Sequence, residues 1–317
     1  MLPATIEPME PTLVRAPFDD PEFAFQVKWD GVRLLSFVEH GRVRLQNRRL
    51  RSRDGFYPEL DSLPRLLSCD EVVLDGEVVA FQGGRPFFPL ILRRELAGTP
   101  ERVRRLQAEV PVAYLVFDLL YLKGRPLTRL PWEERQARLA EVLRPGGNVH
   151  RVENFSAGTA LFQVVEGKGL EGVVAKRRSS LYVSGKSRDW VKVKVRRRQL
   201  CLVGGYSAAA GRLQSLLVGA WQGADLLYLG RVGTGLSARE WEALAAALPD
   251  LTIPRCPFRN CPRSSDFYWV KPVLPVWVEY SEWTEQLHLR APSLVGFARA
   301  RPEECRLDVG NPRGEPL

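Results

Sequence analysis

The strongest constraint on the fold is a series of short apolar runs separated by turns, with few helical patterns between them. The runs are rich in β-branched and aromatic residues, which favour strands. In the first part of the chain they are Phe23–Lys28, Leu34–Val38, Val43–Gln46, Val72–Phe81 and Tyr114–Tyr121. Helices are predicted after the Thr99–Pro100 pair, from Trp132, and from Thr159 to Gly167. The chain is therefore predicted to be built mainly from strands.

A second domain is predicted after the basic run from Arg196 to Arg198. The pattern then resets to LVGGY, SLLVGAW and LLYLGRVG, followed by a helix whose capping box is Ser237 and Glu240, and by the strand-like VWVEYSEWT and LHLR. Five short strands and one helix fit a small OB-type barrel, although a small open sheet would give the same pattern. We predict domains at 1–196 and 197–306, with a tail at 307–317.

The net charge of +9 favours a polyanionic partner, because binding phosphates releases condensed counterions. Charge alone does not separate nucleic acid from a membrane surface. No apolar run reaches the ~18–20 residues that span a bilayer. The N-terminus lacks the pattern of a secretory signal, and the five cysteines are an odd number scattered along the chain. We therefore expect a cytoplasmic, monomeric protein with no membrane association.

The most informative motif is Lys28-Trp29-Asp30-Gly31-Val32-Arg33, which follows a predicted strand. Only eight lysines occur in the chain, so a retained lysine is a candidate for chemistry that arginine cannot perform. Lys28 lies at a strand end, where neighbouring cations and partial burial are expected to lower its pKa. Arg33 can reach a phosphate. These residues suit attack on phosphorus, although a hairpin turn with surface charges would give the same hexapeptide.

Four further clusters weaken that simpler interpretation. Asp75-Gly76-Glu77 lies inside an apolar run, where carboxylates must pair or bind a cation. Phe117 lies in another apolar run, and Glu171 to Lys176 form a strand with charged ends. Trp190 to Lys194 alternate strictly, so Lys192 and Lys194 point to the same face of one strand. These two lysines repel each other unless an anion lies between them, and a triphosphate would suit.

Taken in order, these motifs resemble those of the covalent nucleotidyltransferase superfamily of DNA ligases, RNA ligases and mRNA capping enzymes. Lys28–Arg33 matches K-x-D-G-x-R, and Arg48 in LQNRRL matches the following motif. The segments YLVFDLLYLKGRPL and GRVGTG resemble the sequences of the bacterial ligase D group, the ligases of non-homologous end joining, more than those of capping enzymes or RNA ligases. The resemblance covers about residues 20–196 and implies an α+β adenylation domain with mainly antiparallel sheets, followed by an OB-fold barrel.

The resemblance also implies an ATP-dependent DNA ligase that seals nicks between a 5′-phosphate and a 3′-hydroxyl. Lys28 would attack the α-phosphorus of ATP and hold AMP, with Mg²⁺ or Mn²⁺ as divalent metal. Nicked double-stranded DNA would be the partner, and a Ku-like end-binding protein a further one. The implied nucleotide-binding residues are Lys28, Arg33, Arg48, Glu77, Phe117, Glu171, Lys176, Lys192 and Lys194.

Individual roles follow from the same resemblance. Lys192 and Lys194 would act with Lys28 in catalysis by binding the α-phosphate. Glu77 would hold the ribose, Phe117 would stack on adenine, and Glu171 would place the metal. Nucleic-acid contacts are implied for Arg33 and Arg48, and an independent prediction from charge adds Arg196, Arg197 and Arg198.

One motif departs from the ligase pattern. The family barrel usually ends in Arg-x-Asp-Lys, but LRAPSLVGF is followed here by Ala298, Arg299, Ala300 and Arg301. Because this motif orients pyrophosphate in the family, the departure predicts slow self-adenylation. The alternatives are an RNA ligase or capping-type nucleotidyltransferase, and a non-catalytic nucleic-acid-binding relative. Intact Lys28, Glu171, Lys192 and Lys194 argue against the last of these.

Overall fold

The computed structural model describes residues 2–209, 212–281, 283–284 and 286–307. The chain divides into two compact units, Met1–Val195 and Arg196–Leu317. The boundary predicted from sequence lies one residue later. Most of the predicted tail, residues 308–317, lies outside the described part of the chain.

The first unit contains two main sheets. Its strands, in chain order, are β1 (Met9–Leu13), β2 (Phe23–Lys28), β3 (Val32–Glu39), β4 (Arg42–Asn47), β5 (Glu71–Gln82), β6 (Arg85–Pro86), β7 (Val112–Leu122), β8 (Arg125–Pro126), β9 (Val149–Arg151), β10 (Gly172–Arg177) and β11 (Gly185–Lys194). One sheet has the order β1-β11-β10-β2, and the other has β4-β3-β5-β7-β8. Most neighbours are antiparallel, but β1 runs parallel to β11 and β9 runs parallel to β7. The five predicted strands and the two strands that carry the later motifs are confirmed.

Four α-helices belong to this unit: α1 (Phe88–Glu95), α2 (Pro100–Glu109), α3 (Trp132–Val142) and α4 (Gly158–Gly167). The Thr99 side chain accepts a hydrogen bond from the backbone N–H of Arg102, which caps α2 as predicted. The last three helices confirm the prediction, whereas α1 was not expected. A 3₁₀ helix also spans Pro58–Leu66.

Buried ion pairs join the strands to the helices around the core of the first unit. Arg135 of α3 donates to both oxygens of Asp118 on β7, each at 2.8 Å, and both side chains are fully buried. Its Nη1 also donates to the carbonyl oxygens of Leu130 and Ser180. A charge this deeply buried requires such a complete set of partners. The pair fixes β7 and α3 in one register.

The second unit is a five-stranded antiparallel sheet with one α-helix. Its strands are β12 (Arg197–Ala209), β13 (Arg212–Gln222), β14 (Asp225–Val232), β15 (Phe267–Tyr280) and β16 (Ser293–Phe297), in the order β14-β13-β12-β15-β16. Helix α5 (Ala238–Ala247) begins with the predicted capping box of Ser237 and Glu240. Further 3₁₀ helices span Leu248–Leu251 and Pro302–Glu304.

The two edges of this sheet meet. Leu289 N–H donates to the Leu229 carbonyl at 2.8 Å, and Leu294 N–H donates to the Thr234 carbonyl at 2.8 Å. Each bond links one edge strand, β14 or β16, to a segment flanking the other, as in a barrel that closes. This favours the OB-type barrel over the open sheet and agrees with the predicted α+β fold.

One predicted strand is wrong. LHLR forms no strand: Leu287 has a φ of 57°, Leu289 forms only an isolated bridge with Trp283, and Ala291 directly after the segment has a φ of 50°. The last strand instead begins at Ser293, directly after Pro292. Among the described residues, no helix is long and apolar enough to span a membrane.

Candidate active site

A cleft of about 610 Å³ lies in the first unit, between the two sheets. One wall is a single face of the β2, β10 and β11 strands. Because side chains alternate along a strand, the residues that share this face are two apart. They are Gln26 and Lys28, Val174 and Lys176, and Trp190 and Lys192. Glu77 of β5 and Phe117 of β7 contribute from the other sheet.

Glu171 bridges two lysines at one end of the cleft. Its Oε2 lies 2.7 Å from Nζ of Lys28, and its Oε1 lies 2.8 Å from Nζ of Lys194. The strand register explains the contact, because Gly172 pairs with Lys28 on β2 and with Lys194 on β11. An anion was expected between Lys192 and Lys194; in this structure a protein carboxylate, Glu171, instead lies between Lys28 and Lys194.

This bridge changes the expected charge state of Lys28. Burial lowers the pKa of Lys28, but the carboxylates of Glu171, Glu77 and Asp30 raise it by more. The net shift of the pKa is upward. The sequence prediction of a lowered pKa is therefore wrong, because the carboxylates of Glu171, Glu77 and Asp30 outweigh the effect of burial. Lys28 is held as an ammonium group here.

Glu171 and Lys192 shift in directions that fit the same cluster. Burial would raise the pKa of Glu171, but Lys28 and Lys194 hold it below the usual value. Burial, together with the charges of Lys28 and Lys194, lowers the pKa of Lys192. Among the described residues, no carboxylate lies within ion-pair distance of Lys192. This amine is therefore available to an incoming anion.

Glu77 faces the cleft from β5. Burial raises the pKa of Glu77 to about 7, although the charges of Lys28 and Arg33 act in the opposite direction. Within the described part of the chain, its carboxylate accepts no hydrogen bond. It is therefore placed to accept one from a ligand hydroxyl, or to coordinate a cation.

Arg33 makes most of its contacts inside the protein. Its Nε and Nη2 donate to the two oxygens of the fully buried Asp75 at 2.9 and 2.6 Å. Nη2 also donates to the Tyr182 hydroxyl at 3.2 Å, and Nη1 donates to the Met9 carbonyl at 2.5 Å. Arg33 lines the cleft, but its planar fork is already paired. The geometry favours a supporting role for Arg33.

Phe117 and Lys176 form an aromatic and amine pair deep in the cleft. Nζ of Lys176 lies 4.2 Å from the ring centroid of Phe117 and 4.0 Å from that of Trp190. Lys176 is 2% exposed, and this burial lowers its pKa to about 7. A flat aromatic ligand can stack on the ring of Phe117 with the Lys176 amine beside it.

Arg48 lies at the mouth of the cleft on a basic turn after β4. Asn47 Oδ1 accepts hydrogen bonds from the backbone N–H groups of Arg49 and Arg51, and Leu50 has a φ of 59°. This turn presents the three arginines around the cleft. Nε of Arg48 lies 2.8 Å from Oε1 of Glu10, whereas the side chains of Arg49 and Arg51 have no partner among the described residues.

Two family models match nearly the whole chain: an ATP dependent DNA ligase domain over residues 2–194 and an ATP dependent DNA ligase C terminal region over residues 209–303. The chain belongs to the ATP-dependent DNA ligases. It is an enzyme, a DNA ligase, and LigD proteins are among its relatives.

The multifunctional non-homologous end joining DNA repair protein LigD of Mycobacterium tuberculosis is 37% identical over 91% of this chain, which spans 37% of that protein. LigD of Pseudomonas aeruginosa is 31% identical over 95% of the chain, which spans 36% of it. The solved ligase domain of M. tuberculosis LigD has a TM-score of 0.54 and 34% identity, over 95% of this chain and 98% of that one. The ligase thus spans less than half the length of these curated relatives.

The arginines predicted to bind nucleic acid in the second unit of the ligase share one carboxylate. Arg196 Nη1 and Arg198 Nη2 each lie 2.9 Å from a Glu279 oxygen, while both arginine side chains remain about half exposed. Arg197 alternates with them along the chain. The run thus keeps a positive charge at the surface, and its contact with DNA remains a prediction.

The barrel motif that differs from the family pattern, residues 298–301, lies directly after β16. Ala298 and Ala300 carry no charge, and Arg301 forms an ion pair with Glu304 at 3.0 Å. Arg301 is therefore engaged locally at the start of the 3₁₀ helix Pro302–Glu304. Arg299 is exposed and, within the described residues, has no ion-pair partner.

Sequence reasoning missed a chain of side-chain amides that joins β2 to β7. Gln26 donates to Asn154 at 2.6 Å, Asn154 donates to Gln136 at 3.3 Å, and Gln136 donates to the Phe117 carbonyl at 2.9 Å. The position of Gln26, two residues before Lys28, was the available signal. It also missed Glu10, whose short strand contains Pro11, a residue that weakens a strand prediction.

Proposed function

We propose that this ligase seals nicks in double-stranded DNA through a covalent lysyl-AMP intermediate on Lys28. The observation that carries the proposal is the cluster of Lys28, Glu171 and Lys194 in the cleft, with Lys192 on the same face. A lysine nucleophile requires this setting, in which other groups control its proton and stabilise the charge on phosphate.

In the first step, the Lys28 amine attacks the α-phosphorus of ATP. A P–N bond forms, the bond from the α-phosphorus to the bridging oxygen breaks, and pyrophosphate leaves. Because Lys28 is held as an ammonium group against Glu171 at 2.7 Å, it must first lose a proton to solvent before it attacks. Lys192 and Lys194 then stabilise negative charge on the α-phosphate.

The remaining steps use the same cleft. The 5′-phosphate at a nick displaces Lys28 from AMP, and the 3′-hydroxyl then displaces AMP to close the strand. Adenine stacks on Phe117, Glu77 accepts a hydrogen bond from the ribose, and Lys176 lies beside the base. Arg48 binds a phosphate, while Arg33 supports the cleft through Asp75.

A divalent cation fits the carboxylates that face the cleft. Glu77 and Glu171 offer the oxygen ligands that Mg²⁺ and Mn²⁺ prefer. Such an ion would neutralise charge on the triphosphate. Glu171 contacts both lysines here, so Glu77 carries the less engaged carboxylate.

The decisive experiment is to incubate the protein with α-labelled ATP and Mg²⁺ or Mn²⁺ and to measure covalent label. Lys28→Ala and Lys28→Arg should both lose it, since a guanidinium group stays protonated. Lys186→Ala is the matched control, because this exposed lysine lies on β11 outside the cleft. Label retained by either Lys28 variant would remove Lys28 from the mechanism.

We further propose that the substrate is broken DNA in end joining, as the names of the LigD relatives suggest. A Ku-like end-binding protein would then stimulate joining of linear duplexes more than sealing of a preformed nick. Equal stimulation of both substrates, or none, would contradict this role.

A further inference from the structure

Glu10 is a carboxylate at the mouth of the cleft that the proposed reaction does not use. Its Oε1 lies 2.8 Å from Nε of Arg48, and both residues line the cleft. It is also near enough to interact with Lys192. A protein anion therefore lies among the cations that the proposed function assigns to phosphate.

The backbone that carries Glu10 is held firmly. Gln46 donates to the Ile6 carbonyl at 2.6 Å and accepts from the Ile6 N–H at 3.0 Å. Arg33 donates to the Met9 carbonyl, and the Met9 side chain is fully buried. Because side chains alternate along β1, an inward Met9 directs Glu10 outward toward the cleft. The contact with Arg48 thus follows from the placement of the strand.

The carboxylate takes the donor that a phosphate would use. An arginine binds phosphate through its planar fork of N–H groups, and the Glu10 carboxylate lies 2.8 Å from Nε, at one side of that fork. Arg49 and Arg51 on the same turn have no side-chain partner among the described residues. The turn therefore attracts an anion in general, and Glu10 partly offsets the charge of Arg48, whose side chain is 64% exposed.

We propose that Glu10 is an internal competitor for phosphate on Arg48, so that an incoming phosphate binds by displacing a carboxylate. The inference rests on the proposed function, because it takes Arg48 as a phosphate ligand. Glu10 then sets the affinity of Arg48 for anions. An incoming anion must displace the Glu10 carboxylate from Arg48, and weakly binding anions fail to do so. The phosphate belongs either to ATP or to the 5′ end of DNA.

The test uses Glu10→Gln, which keeps the size of the side chain and removes its charge. Glu7→Gln is the matched control, because Glu7 is exposed on the same segment and lies outside the cleft. Two probes are titrated in EDTA, so that no reaction occurs: a nicked duplex with a 5′-phosphate or a 5′-hydroxyl, followed by fluorescence anisotropy, and ATP, followed by equilibrium binding.

Glu10→Gln should bind one phosphate probe about two- to fivefold more tightly than the parent, the range that a partly exposed ion pair supports. A gain for the 5′-phosphate nick over the 5′-hydroxyl nick assigns Arg48 to the acceptor strand. A gain for ATP assigns it to the nucleotide. Either gain should vanish in an Arg48→Ala background, and Glu7→Gln should show neither.

Unchanged or weaker binding of both probes by Glu10→Gln would overturn the inference, since Glu10 would then only position Arg48. A gain that persists without Arg48 would also overturn it. Covalent AMP is measured separately on the parent protein, so loss of the proposed function is distinguished from failure of the competition. Thermal unfolding of each variant confirms that it is folded.

Discussion

Gly172 offers the sharpest test of the cleft geometry, because it lies between the strands that carry Lys28 and Lys194. Its φ is 155°, a conformation that side chains rarely adopt. A Cβ atom at this position would lie 2.1 Å from the Val193 carbonyl oxygen and 3.0 Å from the Cα of Lys194. Gly172→Ala therefore cannot be accommodated without separating β10 from β11.

The size of the effect follows from that distance. Real Cβ contacts are essentially never below 3.0 Å, so the strands must part by about 0.9 Å at least. A displacement of about 1 Å in a catalytic group can cost roughly a hundredfold in rate. We expect covalent adenylation of Gly172→Ala to slow by about that factor and its stability to fall by about 1–3 kcal/mol.

The assay is single-turnover adenylation with labelled ATP, alongside urea unfolding of the same preparations. Gly98→Ala is the matched control, because nothing lies within 4 Å of its Cβ position. The variant should remain folded under assay conditions and lose rate. Adenylation at the parent rate with unchanged stability would refute the view that this strand spacing positions the lysines.

Three other predictions concern separate parts of the ligase. The folded-state pKa of Glu77 is raised from 4.5 to about 7, so the free energy of unfolding should fall as pH rises from about 4.5 to 7. Glu77→Gln should flatten that decline in urea unfolding, and an equally steep decline would contradict the prediction. Replacing Arg196, Arg197 and Arg198 together with alanine should reduce the slope of log DNA affinity against log salt concentration, measured by anisotropy titration. An unchanged slope would mean that these arginines do not contact the DNA backbone. Ala298→Arg with Ala300→Asp should speed adenylation, measured in single turnover, and leave sealing of pre-adenylated DNA unchanged. Fast adenylation by the parent with no gain in the double variant would show that this alignment is wrong.

The features of the site that depend on strand periodicity could be predicted from the sequence. Alternation alone placed Lys192 and Lys194 on one face, and the β-branched run before Lys28 defined β2. The apolar surroundings of Asp75 required a partner, which is Arg33. Each of these conclusions needs only near neighbours in the chain or the cost of burying a charge.

What the sequence did not provide depends on which distant segments meet. The pKa of Lys28 was misjudged because Glu171, its main partner, approaches only through pairing of β2 with β10. Strand β1 contains Pro11, which is tolerated because β1 is an edge strand. Helix α1 begins at Phe88, and its N-cap residue Phe87 makes no side-chain cap, so the sequence gave no capping signal for it.

The sheet that carries the lysines also has consequences for folding kinetics. The β3–β4 hairpin closes through a tight turn at His40 and Gly41, with φ angles of 51° and 77°, and needs only a short loop. Lys28 and Glu171, in contrast, are separated by 143 residues. Strand pairing between segments this distant in the chain is slow, because the loop-closure entropy is lost before the native contacts form. On refolding from denaturant, we expect hairpin structure to return early and the capacity to form lysyl-AMP to return only with the slowest phase.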